Sequence, residues 1–261
     1  MRKLLTSGAV AVGMLLASCT PANRVVENPL IGAANTMTLD FPKIELSDTA
    51  TVLHVDAYFR PHNCIRIDAG TYLLADGQKY MLQGSEGILP DSLFWMPDSG
   101  EASFVLKFGP LPRGTKSFDF IESDCYDCFK LYGVDLTGKK EYPRYPEGLP
   151  RALRKAPEDG PVPEPILAVG TTTVNVRLLG YRRGMVKEVA MYVNSLLNGQ
   201  EEHTAAIDPE SGTATLRFEQ YGTAMAYVSC GPVFGMCWIA PGETLDMYIA
   251  MEAGGRAIVQ R

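Results

Sequence analysis

The sequence has no run of about twenty apolar residues, so nothing in it reads as a transmembrane helix. It has no excess of positive charge: 24 Lys and Arg stand against 30 Asp and Glu, which argues against nucleic acid and anionic lipid as partners. Histidine is scarce, with only His54, His62 and His203 to serve a hydrolase or a metal. There is no phosphate loop, dinucleotide fingerprint, EF-hand loop or His-Glu-x-x-His, and Gly84-Ser85-Glu86-Gly87 lacks the spacing of a nucleophile turn. Neither a cofactor nor a metal is expected. Six cysteines are too few for a disulfide-built scaffold, so apolar cores must carry the fold.

The apolar segments that do occur are short. The first follows Met1-Arg2-Lys3 and closes at Leu16-Ala17-Ser18-Cys19. A basic start, a short apolar middle and small residues before a cysteine read as a lipoprotein signal peptide over 1–18, with Cys19 as the lipidated N-terminus. Without Arg2 and Lys3 the charge balance becomes 22 against 30. The expected location is therefore a bacterial cell envelope, with the membrane engaged through acyl chains. No acidic cluster follows Cys19, which favours the periplasmic face of the outer membrane. Residues 19–35, with Pro21 and Pro29, read as a lipidated tether.

From residue 36 onward the pattern is that of strands. Thr51 to Phe59 alternates, with Leu53, Val55, Ala57 and Phe59 on one face. Asp76-Gly77 between apolar runs signals a hairpin. Short strands at regular spacing predict a first β-sandwich over 36–138. Seven prolines between Pro143 and Pro165 mark residues 139–165 as a linker. A second, smaller sandwich is predicted over 166–261, again antiparallel. The predicted fold is thus mainly β: two immunoglobulin-like sandwiches in tandem.

Thr173-Val-Asn-Val-Arg-Leu-Leu-Gly-Tyr181, Tyr192-Val-Asn-Ser-Leu-Leu-Asn-Gly199 and Pro241-Gly-Glu-Thr-Leu245 resemble the β domain that precedes the catalytic domain in TlpA-type thioredoxin-like lipoproteins of Bacteroides-type bacteria. Phe94-Trp-Met-Pro-Asp-Ser-Gly-Glu-Ala-Ser-Phe104 and Phe118-Asp-Phe-Ile-Glu122 are similar to their N-terminal β domain. The sequence has no Trp-Cys-x-x-Cys and no βαβ pattern, so no catalytic residue carries over. The resemblance implies an envelope protein built from the non-catalytic part, accessory to a redox system.

Cys125-Tyr-Asp-Cys128 is the one chemically loaded motif. Two thiols at this spacing can form and exchange a disulfide. Glu122, Asp124 and Asp127 beside them disfavour the thiolate, which points to a structural bridge instead. His62, Cys64, Cys125 and Cys128 would make a zinc set only if their loops met. Cys230 and Cys237 flank an expected six-residue loop, Gly231 to Met236, and are candidates for a cross-strand bridge or for buried thiols. Tyr58, Tyr72, Tyr80 and Trp95 are candidates for a carbohydrate or peptide surface. The leading expectation is a non-enzymatic binding or scaffold module with an envelope protein or small ligand as partner. The alternatives are a thiol–disulfide oxidoreductase using Cys125 and Cys128, and a carbohydrate- or peptide-binding lipoprotein.

Overall fold

A computed structural model describes residues 24–155, 164–195 and 198–252, together with the backbone of 257–260. The expected signal peptide and Cys19 lie outside the described residues. The fold is mainly β, with antiparallel sheets packed in the manner of β-sandwiches.

The first unit contains β1 (Arg24–Glu27), β2 (Ala33–Ala34), β3 (Leu39–Leu46), β4 (Thr51–Tyr58), β5 (Cys64–Ile65), β6 (Tyr72–Ala75), β7 (Gln78–Glu86), β8 (Phe94–Trp95), β9 (Glu101–Phe108), β10 (Ser117–Ile121) and β11 (Lys130–Asp135). Nine strands form one sheet in the order β1-β3-β4-β9-β7-β6-β10-β11-β2, while β5 and β8 pair separately. Strand β7 joins two arms, pairing with β6 at its start and β9 at its end. The arms face each other. Phe41 of β3 and Phe108 of β9 meet Phe120 of β10 edge-on, with ring centroids 5.4 and 6.3 Å apart. Each fully buried phenyl stabilises the fold by about 1.5–3 kcal/mol. The hairpin at Asp76-Gly77 forms as its sequence suggests: Ala75 pairs with Gln78, and both turn residues have positive φ, at 49° and 78°.

Residues 24–35 differ from the expected tether. Val26 is buried as β1 pairs with β3, and Ala33-Ala34 pair with β11 on the other arm. The segment crosses from one arm to the other because its apolar residues find partners on both. The expected linker is mostly exposed from residue 139 to 155, but it is pinned at a few points. Leu149 is buried, the Tyr142 hydroxyl donates to the Ile31 carbonyl at 3.1 Å, and Arg151–Leu153 forms one 3-10 turn.

The second unit contains β12 (Leu167–Leu179), β13 (Glu188–Ser195), β14 (Gly199–Ala206), β15 (Thr213–Gly222), β16 (Ala224–Cys230), β17 (Val233–Ile239), β18 (Thr244–Ala250) and β19 (Ala257–Gln260). Two four-stranded sheets, β15-β12-β18-β19 and β14-β13-β16-β17, enclose a common core. The expectation of purely antiparallel pairing fails at one place: β12 and β18 run parallel. Five strands intervene between them, so the chain can return in the same direction. Asp208–Gly212 arches between the two sheets, since β14 and β15 belong to different sheets.

The two units share an interface. Along the second arm of the first unit, alternate side chains serve different cores. Leu73, Phe120 and Leu131 face the first core, while their neighbours Tyr72, Ile121 and Tyr132 join the core of the second unit. This is the period-two alternation of a strand buried on both faces. The Ala34 amide donates to the Met251 carbonyl at 3.3 Å across the same boundary.

Candidate binding cleft at the Cys125–Cys128 hairpin

The β10–β11 hairpin ends beside that interface. Its tip is Ser123 to Cys128, and its neck is fastened at Glu122. The Glu122 amide donates to the Phe129 carbonyl at 3.0 Å, and the Phe129 amide returns a bond to Glu122 Oε2 at 2.8 Å. Burial raises the Glu122 pKa, opposed by the peptide groups of Phe129 and Asp68.

Asn35, just past β2, holds the tip from the other side. Its Nδ2 donates to the Cys128 carbonyl at 2.8 Å and to the Tyr126 carbonyl at 3.3 Å. Its Oδ1 accepts from the Lys130 amide at 2.8 Å, and its own amide donates to the Lys130 carbonyl at 3.1 Å. One amide side chain thereby satisfies several loop groups that the β-ladder leaves unpaired. The Lys130 ammonium reaches the second unit and donates to the Gly184 carbonyl at 2.7 Å. Burial lowers the pKa of this lysine, and Asp124 acts in the opposite direction.

Cys125 and Cys128 form a disulfide, with Cα atoms 5.3 Å apart. Cys125 is exposed and Cys128 is half-buried. The bridge lies at the lip of a cleft of about 740 Å³ between the units. One wall is Asn35, Thr36 and the hairpin tip; the other is Met185, Val186, Lys187 and Glu188, with Gly231 at the edge. The walls are more polar than apolar and present groups of both charge signs, Asp127 and Glu188 against Lys187.

The remaining candidates do not converge here. His62 lies 3.4 Å from Asp98, and Cys125 and Cys128 are bonded to each other, so the zinc set is not assembled. No metal-binding cluster occurs among the described residues. Cys230 and Cys237 do not bridge. The turn is only Gly231-Pro232, so β17 begins at Val233, Cys230 pairs with Val233, and Cys237 pairs with Ala226. The cysteines are therefore offset by four residues along the strands, about 13 Å at the usual rise. Burial pushes the Cys230 thiol pKa up to about 12, which makes it a poor nucleophile. Tyr72 and Tyr80 point to opposite faces of the first sheet, and Tyr58 lines a different cleft of about 260 Å³ with Tyr142. The expected aromatic surface is thus divided.

Asn35, Glu122 and Lys130 were not visible as site residues in the sequence. Glu122 entered the sequence reading as a negative neighbour of the cysteines, and Lys130 is one of two charges in β11, the other being Asp135. The chain matches no protein-family model, and no curated protein is significantly similar to it.

Proposed function

We propose that this chain is a membrane-anchored envelope lipoprotein that acts by binding and not by catalysis, with the cleft beside Cys125–Cys128 as its contact surface. The observation that carries the reading is the tip of the β10–β11 hairpin. It is exposed, fixed on both sides by Asn35 and Glu122, and set at the mouth of a cleft between two packed units. A loop presented rigidly on a scaffold suits recognition, because little ordering entropy is lost on binding. The cleft's own nucleophile pair is held in a disulfide. The acyl anchor would sit at Cys19, and the partner would be another envelope protein, such as a thioredoxin-like redox protein of the kind this sequence resembles.

The experiment is expression with the native leader in a bacterial host, followed by intact-mass analysis. A chain beginning at an acylated Cys19 supports the anchor, and Cys19→Ala should leave the protein unacylated. Robust turnover in hydrolytic or oxidoreductase assays would refute the non-catalytic reading.

A second reading is thiol–disulfide exchange at Cys125–Cys128, favoured by the exposure of Cys125 at the cleft mouth. Serine at both positions would then abolish a measurable reductase or isomerase activity; activity unchanged by the substitutions would reject it.

A further inference from the structure

The net charge of −6 is unevenly placed, and the first unit carries opposite signs at its two ends. From Ala102 to Phe118 the sequence holds Lys107, Arg113 and Lys116 and no acidic residue. Strand pairing brings this stretch to one end of the sheet. Thr51 opens β4 opposite Phe108 at the close of β9, and Arg24 opens β1 opposite Leu46 at the close of β3. That end therefore gathers the start of β1, the β3–β4 turn and the β9–β10 loop. Arg24, Lys107, Arg113 and Lys116 are all exposed there. Asp48 in the β3–β4 turn offsets one of them, since its Oδ1 accepts from Arg113 Nε at 2.9 Å. Glu45, farther along β3, is paired with Lys43 at 2.6 Å. A cleft of about 190 Å³ lies between turn and loop, lined by Leu46, Leu111 and Leu136 together with Arg24 and Arg113. The opposite end has the reverse sign. Asp40 of β3 stands opposite Asp56, and Glu101 opens β9 opposite Tyr58. Against Asp40, Asp56, Asp98 and Glu101 this end sets Arg60.

We propose that the basic end of the first unit lies on the phospholipid headgroups of the membrane that holds the anchor. The proposal rests on the reading of Cys19 as the acylated residue and adds an orientation to it. Chain length selects the occupant. Arg24 comes five residues after Cys19, and five residues reach at most roughly 18 Å. The eight-residue strands β4 and β9 span roughly 27 Å. Standing the unit on its acidic end would carry Arg24 farther from the surface than the chain permits. Charge acts in the same direction. Guanidinium and ammonium groups bond headgroup phosphates, whereas the carboxylates of the other end are repelled by them. The net negative charge opposes anionic lipid only for the chain as a whole, because a surface potential falls off within a Debye length of about 8 Å. The orientation also serves the Cys125–Cys128 cleft. Ser117 of β10 pairs with Asp135 near the basic end, and the hairpin runs from there to its tip. The tip is thereby turned away from lipid and toward a partner.

The acylated chain, made with its native leader and reconstituted into vesicles of phosphatidylethanolamine and phosphatidylglycerol, tests the proposal. A photoreactive residue is placed at Pro112, exposed in the β9–β10 loop, or at Trp95, which pairs with Cys64 near the acidic end, and lipid adducts are measured by mass. The yield at Pro112 should exceed that at Trp95 by about fivefold or more, the partition that one basic residue contributes at an anionic surface. Replacing Lys107 and Lys116 together with glutamine should lower the Pro112 yield by a similar factor, with an unchanged thermal midpoint because both side chains are exposed. Equal yields at the two positions overturn the proposal, as does a Pro112 yield indifferent to the glutamines. Intact mass of the same sample separates the two readings. An unmodified Cys19 refutes the anchor and the proposal with it, whereas an acylated chain without lipid adducts at Pro112 refutes the orientation alone.

Discussion

Replacing Asn35 with alanine should destabilise the protein more than removing the Cys125–Cys128 disulfide. The alanine variant loses three side-chain hydrogen bonds, to the Tyr126 and Cys128 carbonyls and from the Lys130 amide. Each is worth about 1 kcal/mol net, and a buried Lys130 amide left without a partner adds a further cost of similar size. The sum is about 3–4 kcal/mol. The disulfide, by contrast, joins residues only three apart in sequence. Closing so small a ring removes little entropy from the unfolded chain, and the chain-entropy relation gives about 2 kcal/mol. Urea denaturation followed by circular dichroism measures both variants, with Cys125→Ser/Cys128→Ser standing for the open ring. The expected order is wild type, then the double serine variant, then Asn35→Ala, with the fold retained in all three. A double serine variant less stable than Asn35→Ala would show that the bridge, and not the amide clamp, fixes the hairpin tip.

Three further outcomes concern Glu122, His203 and Gly231. Glu122 has a raised pKa, so its stabilising contribution is fully present below the unfolded value near 4.5 and is lost as pH rises through the folded value. The stability of wild type relative to Glu122→Gln should therefore fall from pH 4 to pH 7, and a pH-independent difference in denaturation midpoint would contradict this. His203 stacks on Phe218 with ring centroids 4.1 Å apart, and its Nε2 is buried without a hydrogen-bond partner. His203→Phe should raise stability by about 1 kcal/mol in the same denaturation assay, by removing an unsatisfied polar atom. Gly231 has φ of 55°, and a Cβ there would sit 2.7 Å from Val186 Cγ1. Gly231→Ala should lower the thermal midpoint measurably, with the disturbance in amide hydrogen exchange centred on Val186 and the β16–β17 turn.

The strands were legible because their alternation is a local property. Thr51 to Tyr58 shows the expected alternation, with Leu53, Val55 and Ala57 buried, whereas Phe59, expected on the same face, lies past the end of the strand and is 40% exposed. The Asp76-Gly77 turn was legible because its positive φ values suit glycine and aspartate. Pairing between distant strands was not, since nothing in β12 or β18 by itself announces a parallel neighbour. The Cys230 and Cys237 bridge failed on register: a two-residue turn replaced a six-residue loop and moved the cysteines apart. The site was half visible. Cys125 and Cys128 declared themselves by spacing. Asn35 acts across more than ninety residues of chain, through a contact that only the packed arms create.

The cleft beside the Cys125–Cys128 tip is proposed as a contact surface for an envelope partner. Site-specific photo-crosslinking in intact cells tests it most directly, with the photoreactive residue placed at Tyr126 or Lys187 and, as a control, at Thr171. Discrete protein adducts are expected from the two cleft positions and none from Thr171. Absence of adducts at Tyr126 and Lys187, or equal adducts at all three positions, would contradict it.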